Sequence, residues 1–444
     1  MTLLIAGGGI AGLTLALTCH QIGMPVRVFE QVETPQPLGV GINLQPHAVR
    51  ELHDLRLREE LEAISVRTAE VAYFSKRGRP IWAEPRGLAA GYLWPQYSIH
   101  RGGLQMLLLD AVRRRLGPGA VVTGVRAAGF EQSADGVMLH LEDRHGNRRT
   151  EHGDMLVGAD GIHSRIRLQI HPSEGPPIWG GAILWRATSQ ARPFLGGATM
   201  AMAGHEWQKF VAYPISAPDA GTGLAEINWI AELKRQPDAA WSREDWNRKG
   251  DLADFLPAFA DWRFDWLDVP ALIRSAKSVY EYPMVDRDPV DHWRDGRVSL
   301  IGDAAHPMYP IGSNGASQAI LDGRVLGRCL VASGVSEAAL IAYEEERRPA
   351  TTRIVLANRV NGPDQVMQRV EELCGGEFDT IADVMSEREL HDYAGHYKKL
   401  AGFDMEWLNR RPPLVAAGDR VAAGGAGGAS AGGVAAAPSA SGRP

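Results

Sequence analysis

The run LLIAGGGIAG at residues 3–12 constrains this chain more than any other segment. An apolar tetrapeptide leads directly into Gly7, Gly9 and Gly12, spaced GxGxxG, and an apolar segment of helical character follows. Glycines at this spacing let a strand turn sharply into a helix and let backbone touch a pyrophosphate, which then rests on the helix N-terminal amides. The next strand, VRVFE, ends in Glu30, 18 residues after Gly12, where an acid accepts hydrogen bonds from a ribose hydroxyl pair. Together these features predict a dinucleotide-binding βαβ unit. Gln31 and Gly41 fall in the continuation QVETPQPLGVGINLQPHAVREL, a long glycine-containing segment suited to lie against a flat portion of the ligand. A second GxG, at Gly425 and Gly427, has no strand before it and is discarded. An enzyme with two dedicated nucleotide domains should carry a second complete fingerprint, and none is found.

Beyond this unit the pattern changes twice. A helix is expected near 102–117, alternating strands near 119–142, and the apolar strand MLVGAD at 155–160. From 178 to 285 alternating apolar residues dominate, and eight of the twelve tryptophans fall between 179 and 266, which predicts a separate, mainly antiparallel sheet. The strand RVSLIG at 297–302 returns to the first pattern, and a helical run over 313–361 splits near Ser333-Gly334. The expectation is an α/β chain: a Rossmann-like domain over 1–175 and 286–361, an inserted antiparallel β domain over 176–285, a helical region over 362–420 and a disordered Ala/Gly-rich tail over 421–444. With 47 basic against 53 acidic residues the net charge of −6 points away from nucleic acid. No apolar run is long enough to span a membrane, and MTLLIAGGGIAGL lacks a basic leader, so a cytoplasmic protein is expected. Cys19, Cys329 and Cys374 form no CxxC pair and are read as free thiols.

Two further segments complete a recognisable set: GADGIHSRIR at 158–167 and LIGDAAHP at 300–307. With GGGIAG and Glu30 they stand in the order found in the class A FAD-dependent aromatic hydroxylases of the para-hydroxybenzoate hydroxylase-like fold, which the chain resembles over about residues 3–360. Within that family, GVGINLQPHAV, PQYSIHRGGLQMLL, DWNRKGDL, YPMVDRDPVDHW and MYPIGSNGASQAILDG are similar to the branch that oxygenates N-methylphenazine carboxylates. Pro307 departs from the leucine expected there, which puts the substrate in question.

The resemblance implies FAD as cofactor, NADH or NADPH as co-substrate, O2 as oxygen donor, a small aromatic substrate and a homodimer. It implies hydroxylation of an aromatic or N-heteroaromatic ring through a flavin C4a-hydroperoxide, with loss of CO2 where a carboxylate occupies the attacked carbon. Carried over by position, Gly9, Ala11 and Gly12 line the pyrophosphate and Glu30 the adenosine ribose. Arg101 and Gln105 contact the ribityl or phosphate portion, Val125 lies near adenine, and Asp160 and Arg165 help hold FAD and the nicotinamide. Asp303 takes the ribityl hydroxyls, and Gly312, Asn314, Gly315 and Ala316 surround the flavin ring. The run between Asp303 and Asp322 carries no Lys, Arg or carboxylate, so helix N-terminal amides are the main charge facing reduced flavin. Asn314 is expected to accept an unusual φ or to cap the helix.

Candidate substrate-wall residues are Trp185, Tyr213 and Trp229 on predicted strands, with Pro307 and Met308 beside the flavin. His306 follows Asp303 at a spacing that invites an acid–base or metal pair; beside a proline and without a third ligand it reads as structural, and no metal is expected. Alternatives are a flavin oxidase or dehydrogenase without oxygen transfer and a non-catalytic flavin-fold protein that sequesters a planar metabolite. No role follows for AGFDMEWLNRRPPLV at 401–415.

Overall fold

The computed structural model describes residues 1–235, 248–360, 365–400 and 405–422. Trp241 and Trp246 of the tryptophan-rich stretch, the start of DWNRKGDL and most of the Ala/Gly-rich tail lie outside the described residues.

The elements that position the site are, in chain order, β1 (Leu3–Ala6), α1 (Ile10–Ile22), β2 (Val26–Glu30), β3 (Gly41–Leu44), β4 (Glu70–Phe74), β5 (Pro80–Pro85), α2 (Arg101–Leu116), β6 (Val121–Thr123) and β7 (Met155–Gly158). They continue with α3 (Arg165–Ile170), β8 (Ile178–Ala191), β9 (Thr199–His205), β10 (Gln208–Pro214), β11 (Ala225–Lys234), β12 (Tyr280–Asp286), β13 (Arg294–Asp295), β14 (Val298–Leu300), α4 (Gly315–Ser333) and α5 (Glu337–Val360).

One six-stranded sheet has the order β13-β14-β7-β1-β2-β6 and is parallel except for the edge strand β13. Its central strands LLIA and MLVG are buried on both faces, which is why they read as unbroken apolar runs. Helix α1 is buried on nearly every side, between this sheet and helices α2 and α4. Gly12 permits that depth: a Cβ there would stand 2.1 Å from the Gly7 carbonyl oxygen.

A second sheet has seven strands in the order β12-β8-β11-β10-β9-β4-β5, antiparallel apart from the β4–β9 pair. Two of its strands, β4 and β5, precede residue 176, so the inserted sheet is completed by the first segment of the chain. Its two faces differ sharply. Trp185, Trp229, Phe210, Phe255, Phe259 and Trp262 form an aromatic core on one face, with Trp185 stacked on Phe255 at 4.9 Å. Because side chains alternate along a strand, Leu184, Arg186, Ile230, Val211 and Met202 face the other way. The register makes Arg186, Ile230, Val211 and Met202 one cross-strand row, and Leu184, Glu232 and Lys209 the next.

The described part of the last segment, residues 405–415, closes the nucleotide domain. Leu414 and Val415 join the main core, Gln21 Nε2 donates to the Val415 carbonyl at 3.3 Å, and Arg50 donates to the carbonyls of Leu408 and Arg411. Among the described residues no helix is long and apolar enough to cross a membrane.

Candidate active site

A cleft of about 330 Å³ opens between the parallel sheet's C-terminal edge and the second face of the large sheet. Gly9 and Ala11 lie at one end, where no side chain caps α1 and no acidic residue occupies its first turn. A Cβ on Gly9 would meet nothing within 4 Å, so the uncapped amides face open space suited to a pyrophosphate. Glu30 accepts hydrogen bonds from Gly8 N and Val32 N, both at 2.8 Å, which leaves lone pairs on the same carboxylate for ribose hydroxyls. Thr123, at the end of β6, stands opposite Glu30 in the sheet, and Val125 follows it across Gly124. Gln31 is exposed just beyond Glu30. Gln105 Nε2 donates to the Gly8 carbonyl at 3.0 Å and ties α2 to the glycine turn. The donors and open backbone at this end fit an adenine dinucleotide.

The middle of the cleft is walled by Gly41, Arg101, Asp303 and the backbone of Gly312, Ser313, Asn314, Gly315 and Ala316. Asp303 is the one exposed residue of the turn Gly302–His306, and it projects into the cleft. Solvent reaches its carboxyl, yet the surrounding protein desolvates it and pushes its pKa up, with His306 and Arg101 opposing and Asp322 reinforcing the shift. Asn314 departs from expectation. It holds an ordinary helical φ of −97° and makes no side-chain cap, while Gly312 and Ser313 take the left-handed φ values of 68° and 55°. With the helix uncapped, the α4 amides still face the cleft.

Asp160 and Arg165 do not line the cleft. Asp160 accepts from Arg165 N at 2.7 Å and from Ser164 Oγ, so its carboxylate caps α3, and Gly161 lines the cleft instead. Arg165 is exposed and off the cleft wall. Arg167, two residues along and therefore on the other side of α3, is buried. It donates to the carbonyls of Ala304 and Ala305 at 3.0 and 2.7 Å and makes a bidentate pair with Glu174. The segment GADGIHSRIR thus grips the Gly302–His306 turn through an arginine that was not singled out from the sequence.

The substrate side needs a larger correction. Trp185 and Trp229 are fully buried in the aromatic core, on the face opposite the cleft, and Pro307 is buried without lining it. Tyr213 and Met308 do line it, with Leu184, Met200, Met202, Val211, Ile230 and Met284. Polar groups in this wall are few. Arg186 Nη2 donates to the Gly41 carbonyl at 3.2 Å, its Nε is buried with no hydrogen-bond partner among the described residues, and its guanidinium lies 5.8 Å from the Tyr282 ring centroid. Lys209 and Glu232 pair at 3.3 Å, both buried. Burial pushes the Tyr213 phenol up to about 12, so it stays neutral. Alternating methionines in TMAM at 199–202 were the available signal for this wall.

His306 does not pair with Asp303. Its Nε2 lies 2.5 Å from Asp322 Oδ2, buried behind the Gly302–His306 turn. Away from the cleft, the ligand atoms of His171, Asp291 and His292 gather within 4.8 Å, a proximity that 119 intervening residues conceal in the sequence.

A parallel sheet with a glycine-turn pyrophosphate site, a carboxylate-bearing turn and an antiparallel sheet roofing the cleft define an FAD-dependent aromatic hydroxylase. The chain belongs to the FAD binding domain family, whose model matches residues 1–180 and 271–358. It is 47% identical over 364 residues to the phenazine 1,6-dicarboxylic acid hydroxylase PhzS of Lysobacter antibioticus, covering 80% of this chain and 89% of that one. It is 33% identical over 379 residues to the 3-amino-4-hydroxybenzoate 2-monooxygenase PtnB3 of Streptomyces platensis, covering 83% and 90%. The fold matches a salicylate hydroxylase–substrate complex with a TM-score of 0.69 at 21% identity, over 92% of this chain and 97% of that one. It also matches Klebsiella pneumoniae HpxO with FAD and uric acid, with a TM-score of 0.68 at 22% identity over 93% of both chains. The protein is an FAD-dependent monooxygenase of aromatic and heteroaromatic substrates, with NAD(P)H as the co-substrate typical of its family.

Proposed function

We propose that the substrate is a planar, phenazine-type N-heteroaromatic carboxylate, hydroxylated with O2 as oxygen donor and with loss of CO2 where the carboxylate sits on the attacked carbon. The observation that carries this reading is the wall built by β8–β11. It is a methionine-rich surface interrupted by the partly buried cation Arg186 and, in the next cross-strand row, by Lys209, whose charge is already paired with Glu232. A carboxylate against Arg186 satisfies the Nε left without a partner and fixes the ring in the plane of the wall. The apolar side chains exclude water from the reacting face, and polarisable methionines adapt to a wide aromatic surface. Asp303, Arg101 and the α4 amides hold the cofactor's polar portion. When bound, FAD supplies the activation of dioxygen and the delivery of one oxygen atom to an electron-rich ring carbon.

The likeness to a phenazine dicarboxylate hydroxylase supports the same class of ring. The test is a substrate panel of phenazine-1-carboxylate, phenazine-1,6-dicarboxylate, salicylate and hydroxybenzoates with the FAD-loaded protein, scored by NAD(P)H oxidation and by ¹⁸O incorporation from labelled O2. Phenazine carboxylates should accelerate NAD(P)H oxidation and emerge hydroxylated. Turnover confined to single-ring benzoates, or peroxide as the sole oxygen product, refutes the proposal.

A further inference from the structure

The turn Gly302–His306 places one side chain, Asp303, in the cleft and buries the rest. Such a short turn has little packing of its own, so its position is set by what grips it from behind. Arg167 grips it from α3 through the carbonyls of Ala304 and Ala305. From α4 it is gripped by Asp322, which is fully buried. Asp322 Oδ2 accepts from Gly302 N at 2.8 Å and from His306 Nε2 at 2.5 Å, and Oδ1 accepts from Arg347 Nε at 2.8 Å. Arg347 in turn donates to both the backbone and side-chain oxygens of Gln318, in the first turns of α4. Gly302 holds a left-handed φ of 59°, and a Cβ there would stand 2.9 Å from the Ala11 Cβ of the pyrophosphate turn. One carboxylate therefore joins the turn that carries Asp303, the start of α4 along the flavin portion of the cleft, and the packing contact with α1.

We infer that Asp322 is a positioning residue for the cofactor: by fixing the Gly302–His306 turn against α1 and α4, it sets where Asp303 and the pyrophosphate amides meet FAD. The inference rests on FAD occupying this cleft. It adds that the geometry of the cofactor site is held by a carboxylate that never touches the cofactor. Asp322→Asn keeps the shape of the side chain but removes the charge that holds His306 and Arg347 in place. Arg347→Gln relaxes the same cluster from its far side and leaves Asp322 bonded to the turn.

The experiment is dilution of full-length FAD-loaded enzyme, read by the fluorescence of released flavin, with visible circular dichroism of the bound flavin and thermal unfolding at saturating FAD. Asp322→Asn should raise the FAD Kd roughly tenfold or more, the scale of one lost charge-assisted hydrogen bond, and change the visible dichroism. A lowered Tm with wild-type Kd and wild-type dichroism overturns the inference, because a carboxylate that only stabilises the fold has that signature. If Asp322→Asn does not fold, Arg347→Gln decides by the same two readouts: a weaker Kd with changed dichroism supports the inference, and unchanged values overturn it. Asp303→Ala separates this claim from the ribityl assignment, since normal FAD retention in Asp303→Ala alongside loss in Asp322→Asn removes the hydroxyl-binding role and retains the positioning one.

Discussion

Replacing Arg186 by Met tests the proposed substrate directly. Methionine keeps an apolar stem at the position opposite Ile230 and deletes the guanidinium. The native group already has one neutral partner, the Gly41 carbonyl at 3.2 Å, and its buried Nε has none. A substrate carboxylate would add charge-assisted hydrogen bonds worth about 1.5–3 kcal/mol, which corresponds to roughly 10–150-fold in kcat/KM. The assay compares two substrates in both proteins, a phenazine carboxylate and the same ring without the carboxylate, with flavin content measured in each preparation. The loss should fall on the carboxylate substrate, chiefly in KM, and should be near unity for the uncharged ring. Equal losses for both, or none for either, would show that Arg186 serves the backbone at Gly41 and not the ligand, and the charge-reading argument would fail.

Other outcomes follow from the same structure. FAD retention should fall as pH drops, beginning above the ordinary carboxylate range: the raised pKa of Asp303 means it binds a proton early, and only the ionised form accepts two ribityl hydroxyl bonds. Flavin fluorescence across a pH series should show this slope in the wild type and its loss in Asp303→Asn. Burial lowers the His47 imidazole to about 3, against an ordinary value near 6.5, with Arg347 and Arg411 adding to the shift. A depressed folded-state pKa gives stability that is complete above pH 6.5 and is lost as pH falls toward 3. At pH 5 the loss is roughly 2 kcal/mol, and a thermal series comparing His47→Gln with the wild type should show the variant's flatter acid limb. Trp185→Ala should cost about 3–5 kcal/mol in urea unfolding, from the cavity left against Phe255, while the KM of the folded fraction stays near wild type. A KM defect as large as that of Arg186→Met would put Trp185 back among the substrate contacts.

The cofactor end was legible because its chemistry demands particular residues at particular spacings: three glycines, an acid at a strand end, an acid at a turn. Gly9, Ala11, Arg101, Asp303 and the 312–316 backbone all reach one cleft. The substrate wall was harder for a reason of symmetry. Both faces of the large sheet are apolar, so period-2 alternation identifies two sets of residues without saying which set meets the ligand, and tryptophan drew attention to the wrong one. Arg165 and Arg167 posed the same problem on a helix, where two residues apart means opposite sides. Asp322 could not be assigned because its partners converge from two separate places in the chain, the 302–306 turn and position 347.

The large sheet works as a partition wall, with an aromatic core on one side and the cleft on the other. Positions 184 and 186 of β8, 200 and 202 of β9, 209, 211 and 213 of β10, and 230 and 232 of β11 line the cleft, while their sequence neighbours 185, 201, 210, 229 and 231 belong to the core behind it. A library confined to those alternate sites would redraw the shape and charge read by the enzyme without loosening the aromatic masonry behind it. The cleft face is therefore built from every second residue of four strands.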